Sequence, residues 1–229
     1  MSTAAGIAVR IAVAESRAEQ SRCQALIASV YHREYGVVFS DVDCDPIAKI
    51  ERWPHRYLMG MIADKLAFVA GLYVDSTYVE RFGLITRDDL QRARAAAGLA
   101  TTATRPRREI TKLVIAPDHR GRHLSTLMVA AAHSRAFLAA DGDPPDVLLC
   151  SKRSLVHAMH HRAGIRPREL RPFPSYKVHE RYATPGDPMS SYLILPELDI
   201  PAALYERALP AIHVHAMAAP TQSVNGASR

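Results

Sequence analysis

From Glu109 to Ser125 the chain reads Glu-Ile-Thr-Lys-Leu-Val-Ile-Ala-Pro-Asp-His-Arg-Gly-Arg-His-Leu-Ser. The apolar, β-branched part ends at Ala116-Pro117. A turn holding Arg120 and Gly121 follows, and an alanine-rich stretch from Leu124 to Ala140 then runs up to Gly142. The pattern predicts a strand over Glu109 to Ala116, a sharp turn over Pro117 to Gly121 and a long helix. A strand that feeds straight into a helix belongs to a layered α/β architecture. The junction also constrains the chemistry. Backbone N–H groups of the turn and of the first helical turn point forward, and the helix dipole adds positive potential. Together they make a phosphate site, to which Arg120 and Arg122 can add charge-assisted contacts.

The flanking segments fit the same class. Ile7 to Val13 alternates weakly, as an edge strand does. Ser16 opens a helical pattern to about Tyr35, with Cys23, Leu26, Ile27 and Val30 on one face. Arg56 to Ile62 and Leu66 to Val74 read as strands joined by Ala63-Asp64-Lys65. Thr86 caps a helix that carries Asp88 and Asp89 in its first turn and stops at Gly98. Leu99 to Arg108 reads as a loop. Further on, Asp146 to Cys150 reads as a buried strand and Ser154 to Ala163 as a short helix closed by Gly164. Strands are expected at about Tyr176 to Arg181 and Ser191 to Leu195, and a terminal helix at Ala202 to Leu209. The expectation is one α/β domain over 1–217: a mixed, mostly antiparallel sheet with helices on both faces. The small polar stretch 218–229 is expected to be a disordered tail.

Composition narrows the function classes. Hydrophobic residues make up 48% and charged residues 23% of the 229, enough for a sizeable core. No stretch is long and apolar enough to span a bilayer, and the start carries no secretion signal. Cys23, Cys44 and Cys150 have no metal-type spacing and are odd in number, which fits a reducing cytoplasm. Net charge is +6, with 29 Lys and Arg against 23 Asp and Glu. The basic residues concentrate between Arg105 and Arg181, which favours an anionic partner or reflects solvated arginine faces. The run Arg162-Ala-Gly-Ile-Arg-Pro-Arg-Glu-Leu-Arg171 lacks interleaved aromatics, so nucleic acid is not expected. It reads as a loop that could meet an acidic carrier protein. Asp41-Val-Asp-Cys-Asp45 has Pro46 and Arg52 where a calcium loop needs Gly and Glu, and reads as an exposed acidic loop. His157 and His161 have i, i+4 spacing, but no third metal ligand is evident. No Gly-x-Ser-x-Gly elbow is present.

Val114-x-x-Pro117-x-x-Arg120-Gly121 resembles the acyl-CoA-binding motif of the GCN5-related N-acetyltransferase superfamily. That motif carries further glycines where His123 and Ser125 stand here, so the cradle suits a donor with one phosphate better than a pyrophosphate. Glu109-x-x-Lys112 resembles the Glu-x-x-Arg pattern of acyl-homoserine lactone synthases. Ser154 to Ile165, ending Arg162-Ala-Gly-Ile165, resembles the short helix and turn they carry after the next strand. Tyr31-x-Arg33 resembles the entry segment shared with N-acyl amino acid synthases. The resemblance implies two central strands that splay apart, with a pantetheine arm lying in the gap.

On that basis Val114, Ile115, Arg120, Gly121, Arg122, His123, Leu124 and Ser125 are expected to bind the donor, a phosphopantetheine thioester on an acyl carrier protein or on coenzyme A. Glu109 is either the base that accepts the acceptor's proton or a strand-end carboxylate paired with Lys112 or an arginine. His160 stands where the superfamily often places a tyrosine that protonates the leaving thiolate; otherwise His157, His160 and His161 form a polar helical face. The resemblance also aligns the acidic stretch Asp41 to Asp45 with a cluster that meets a cationic acceptor. Trp53 lines an acyl pocket or belongs to the core, and Cys150 reads as inert packing.

The function implied is N-acyl transfer to the amine of a small amino acid-like acceptor, without a metal. The alternatives are an acyl-CoA-dependent N-acetyltransferase and a non-catalytic, acyl-binding or hemolysin-like relative of the fold. The oligomeric state is not readable.

Overall fold

The computed structural model describes residues 7–41, 50–74, 77–81, 83–101, 106–121, 124–138, 144–172 and 186–209. The strands are β1 (Arg10–Val13), β2 (Val38–Ser40), β3 (Ile50–Arg52), β4 (Arg56–Ile62), β5 (Lys65–Tyr73), β6 (Arg107–Ile115), β7 (Asp146–Lys152), β8 (Arg168–Pro172) and β9 (Met189–Ile194). Seven of them form one sheet in the order β1-β4-β5-β6-β7-β9-β8. Every pairing in it is antiparallel except the central β6–β7 pair, which is parallel. A parallel neighbour needs a crossover. The helices α4 (Leu124–Ala132) and α5 (Arg135–Leu138) lie in that connection. β2 and β3 form a separate two-stranded parallel sheet.

Local chemistry explains most of the elements. α1 (Arg17–Tyr35) opens with a capping box between Ser16 and Glu19 and ends on Gly36 at φ 64°. α3 (Arg87–Ala96) opens with the same device between Thr86 and Asp89. Ala63 and Asp64 both have positive φ and make a two-residue turn, with Lys65 already paired to Ile62.

Alternate side chains of the sheet feed two faces. Leu58, Phe68, Ile110, Val147 and Ile194 pack under α4 and α5. Met59, Val69 and Val114 pack under α1. Leu148 and Leu193 pack with Val79 of α2 (Tyr78–Arg81) and Leu90 of α3. The described helices therefore cover both faces, and the second face is shared between α1 and the α2–α3 pair.

Several elements differ from the sequence reading. The expected helix Leu124 to Ala140 breaks after Ala132. The Ser134 hydroxyl donates to the Ala131 carbonyl at 2.7 Å and accepts from Phe137 N–H at 3.4 Å. It thus ends one helix and caps the next. Residues 153–163 are helical but irregular: a first turn (α6, Arg153–Leu155), a π-type turn (Val156–His160) and a 3₁₀ turn (His161–Ala163) closed by Gly164 at φ 79°.

The arginine run is no loop. Arg168 to Pro172 is the edge strand β8, with Arg168 clamped on Asp199 at 2.8 to 3.0 Å and Arg171 donating to the Leu84 and Gly83 carbonyls. Those arginines hold the edge of the fold, and their side chains stay partly exposed, at 39% and 41%. The loop after Leu99 gives way to β6 at Arg107. The short elements β2, β3, α2 and α7 (Pro196–Asp199) carried no readable signal, and α8 is Ala202–Tyr205. The expected strand at Tyr176 to Arg181, the residues Asp43, Cys44 and Asp45, and the tail 218–229 lie outside the described residues.

Candidate active site

β6 and β7 pair only at Arg107↔Asp146, Arg108↔Val147 and Glu109↔Leu148. Beyond Glu109 they part, although β6 stays on β5 to Ile115 and β7 stays on β9 to Lys152. The closed end of this fork is pinned. Arg94 of α3 forms a buried ion pair with Asp146, and Asp146 N–H donates to the Pro106 carbonyl at 2.9 Å. Arg108 adds bonds to the Val74 and Leu138 carbonyls at 2.9 and 3.1 Å.

The open end is bent away. The β5–β6 register shifts between Val69 and Gly71, which face Val114 and Thr111, so β6 carries one extra residue there. Lys112 sits in that bulge at φ 50°. A bulge bends and twists its strand, and here it turns β6 away from β7. Among the described residues, the β7-facing edge of β6 past Glu109 has no strand partner. Ala116 N–H donates to the Ala67 carbonyl at 2.8 Å. By alternation along an antiparallel ladder, the Val114 N–H is turned to β5 and the Ile115 N–H to the gap.

A polar cluster is buried on the α1 side of the fork. The Lys112 ammonium pairs with Glu51 of β3 and lies over the Tyr31 ring at 5.2 Å and the Phe39 ring at 5.6 Å. Burial works to strip the Lys112 proton, but the Glu51 carboxylate holds its pKa well above the usual lysine value. Phe39 stacks on Trp53 at 4.2 Å, so Trp53 belongs to the aromatic wall of this cluster. Glu109 is 1% exposed, and its Oε2 accepts the Val79 N–H at 3.2 Å. Burial raises its carboxyl pKa to about 8, against the lowering effect of backbone bonds from Val79 and Tyr78 and of the Lys112 charge. Cys150 lies on β7 beyond its pairing with β6, within electrostatic reach of Glu109, Glu51 and Lys112. Burial pushes its thiol well up, which keeps it from acting as a nucleophile.

The donor turn follows β6 directly. Pro117–His119 is a 3₁₀ turn, and Gly121 takes φ 77°. A Cβ there would meet nothing within 4 Å, so the backbone conformation requires this glycine and the space beside it is open. The Arg120 guanidinium pairs with Glu34 of α1. Leu124 is buried and Ser125 half-buried at the start of α4. Arg122 and His123 lie outside the described residues. The structure thus gathers Glu109 and Ile115 at the fork and Arg120, Gly121 and Ser125 beside it.

His160 is placed differently. It is 2% exposed, and neither ring nitrogen has a hydrogen-bond partner. Its ring stands 5.2 Å from that of His133, whose Nδ1 bonds the Val129 carbonyl at 2.8 Å. Burial pulls the His133 pKa down to about 4 and that of His160 well below the usual value. Both imidazoles are therefore neutral at pH 7, which leaves His160 without the extra proton of a general acid. The sign for stability follows. The unfolded chain takes up protons at both sites below about pH 6.5, whereas folded His133 resists protonation until about pH 4. The His133 contribution is full above the ordinary value and lost as pH falls to about 4, on the order of 3 kcal/mol. Urea unfolding of a His133→Gln, His160→Gln variant should show a flatter decline over that window than wild type. Parallel declines would remove the pair as its cause.

Glu51 and Glu34 were missed by the sequence reading. Each is a lone carboxylate far along the chain from its partner, and only folding brings the pairs together. His157 and His161 lie with ring centres 4.1 Å apart. Among the described residues, no group of three or more metal-ligating side chains is present.

The fold has counterparts in solved structures. FeeM, an N-acyl amino acid synthase from uncultured soil microbes, matches with a TM-score of 0.51 at 8% identity, over 83% of this chain and 92% of that one. BjaI, a CoA-dependent acyl-homoserine lactone synthase solved with SAM and isopentyl-CoA, matches with a TM-score of 0.55 at 13% identity, over 86% of this chain and 85% of that one. The chain has the acyl-CoA N-acyltransferase fold. No family model matches it, and no curated protein matches it by sequence. In this acyltransferase fold the mixed sheet, the helices on both faces and the splayed centre agree with the architecture read from the sequence. No described helix is long and apolar enough to cross a membrane.

Proposed function

We propose that the chain is an N-acyltransferase that moves an acyl group from a phosphopantetheine thioester to the amine of a small acceptor. The observation that carries this reading is the fork after Glu109↔Leu148, with a buried carboxyl at its vertex and a free backbone edge along β6. The free edge fits the amides of a pantetheine arm. The Ile115 N–H is turned toward the same gap, where a thioester carbonyl would develop negative charge. Arg120 and the open turn at Gly121 fit the phosphate at the other end.

In the reaction, ionised Glu109 takes a proton from the acceptor's ammonium. The freed amine attacks the thioester carbon and forms the C–N bond. The C–S bond then breaks, the thiolate leaves and takes up the second proton lost by the nitrogen, and the proton held by Glu109 is released to the solvent.

The donor proposed is an acyl carrier protein's prosthetic group, and the acceptor an amino acid-like amine. FeeM is named as an N-acyl amino acid synthase, which supports that acceptor class. BjaI is named as CoA-dependent, which keeps coenzyme A as the alternative donor. Mass spectrometry of lipids from cells expressing the chain, beside Glu109→Gln, tests the reading. N-acyl amino acids made by the wild type alone are the expected result. A purified enzyme that accepts only acetyl-CoA would overturn the amino acid synthase reading. For the donor turn, calorimetry should detect acyl-carrier protein or acyl-CoA binding, and Gly121→Glu should abolish it. Unchanged binding in that variant would remove the turn from the site.

A further inference from the structure

Glu34 stands in the last turn of α1, where the helix dipole disfavours a carboxylate. It therefore does little for its own helix. Its Oε1 instead meets the Arg120 guanidinium, 86 positions further along the chain, and lies 3.5 Å from Nη2 of Arg33. The Arg120 Nε is turned to the Ile115 carbonyl at 3.4 Å, so the guanidinium hangs over the end of β6, beside the open turn at Gly121. Arg120 is half exposed and Glu34 partly exposed, so a ligand can reach both.

We infer that Glu34 sets donor specificity: its carboxylate competes with the donor's phosphate for Arg120 and discriminates against donors that carry several phosphates. The inference rests on the proposed donor site. A phosphate that approaches Arg120 must share or displace the carboxylate already there, and it feels the negative charge of Glu34. That repulsion grows with the charge of the ligand. Coenzyme A, with a pyrophosphate and a further phosphate, meets more of it than a single phosphomonoester. The pair is solvent-accessible, so the effect is modest and salt-sensitive.

The test compares 4′-phosphopantetheine and coenzyme A by calorimetry on the full chain, wild type and Glu34→Gln. The amide keeps the shape and removes the charge. Binding of the phosphomonoester should tighten about two- to fivefold in low salt, the range of an exposed charge pair. Binding of coenzyme A should tighten by a larger factor, and the difference should vanish near 1 M salt, where screening acts within about 3 Å. An unchanged affinity ratio in a chain that binds both ligands overturns the role of Glu34 and leaves the donor site standing. Arg120→Gln separates the two ideas. If it binds both ligands as tightly as wild type, the donor turn and the Glu34 inference fall together.

Discussion

Glu109→Gln is expected to lower kcat by about a hundredfold or more, the range for loss of a general base, and to make the chain more stable at pH 8. Both follow from one buried carboxyl. Glu109 is folded into an apolar setting that raises its pKa to about 8, while the unfolded chain loses that proton near the ordinary value of 4.5. Between those two values the folded state holds a proton that the unfolded state has given up. Stability therefore falls as pH rises through the window and levels off above about 8. The full effect is on the order of 5 kcal/mol, and the glutamine variant should lack it.

The rate should move the opposite way. A base acts as the carboxylate, so kcat/KM of the wild type should climb with pH toward a plateau just above 8. Glutamine can still accept the Val79 N–H through its amide oxygen, so the fork should survive. Stopped acyl transfer and urea unfolding across pH 5 to 9 would read both limbs. A variant with wild-type kcat would remove Glu109 from the chemistry, and one that unfolds more easily at pH 8 would remove the buried charge as a cost.

Glu51→Leu is expected to destabilise the fold by about 3–5 kcal/mol, the typical loss on breaking a buried ion pair from one side. Lys112 would keep an ammonium 5% exposed with its carboxylate gone. Lys112→Met should cost a similar amount by stranding Glu51. The double variant Glu51→Leu, Lys112→Met should return close to wild-type stability, because neither desolvated charge remains. Urea midpoints at pH 7 would show this non-additivity directly. Losses that simply add would mean that the two side chains act independently.

The pair also couples β3 to the bulge of β6. Lys112 keeps φ 50° in the double variant, so the bend in β6 should remain even where the charges are gone. Activity of a stable double variant would then report what the charges do for the reaction, separately from what the bulge does for the fork.

Sequence alone determined the elements whose signals are local. The capping residues Ser16 and Thr86, the glycine Gly164, and the turn at Ala63-Asp64 act over a few residues, and those boundaries fall where the sequence places them. The strand, turn and helix from Glu109 to Ser125 were legible for the same reason. What tertiary structure decided depends on contacts between distant residues. Arg168 and Arg171 read as a loop because nothing near them in sequence shows Asp199 or the Leu84 carbonyl that absorb their charge. The helix after Leu124 breaks because Ser134 finds a carbonyl and a following N–H at once, a choice that alanine-rich periodicity hides. Glu51 and Glu34 gained their roles only when folding set them against Lys112 and Arg120, 61 and 86 positions away. The same long-range burial raised Glu109 and made His160 neutral, because a pKa is fixed by surroundings that a linear sequence does not contain.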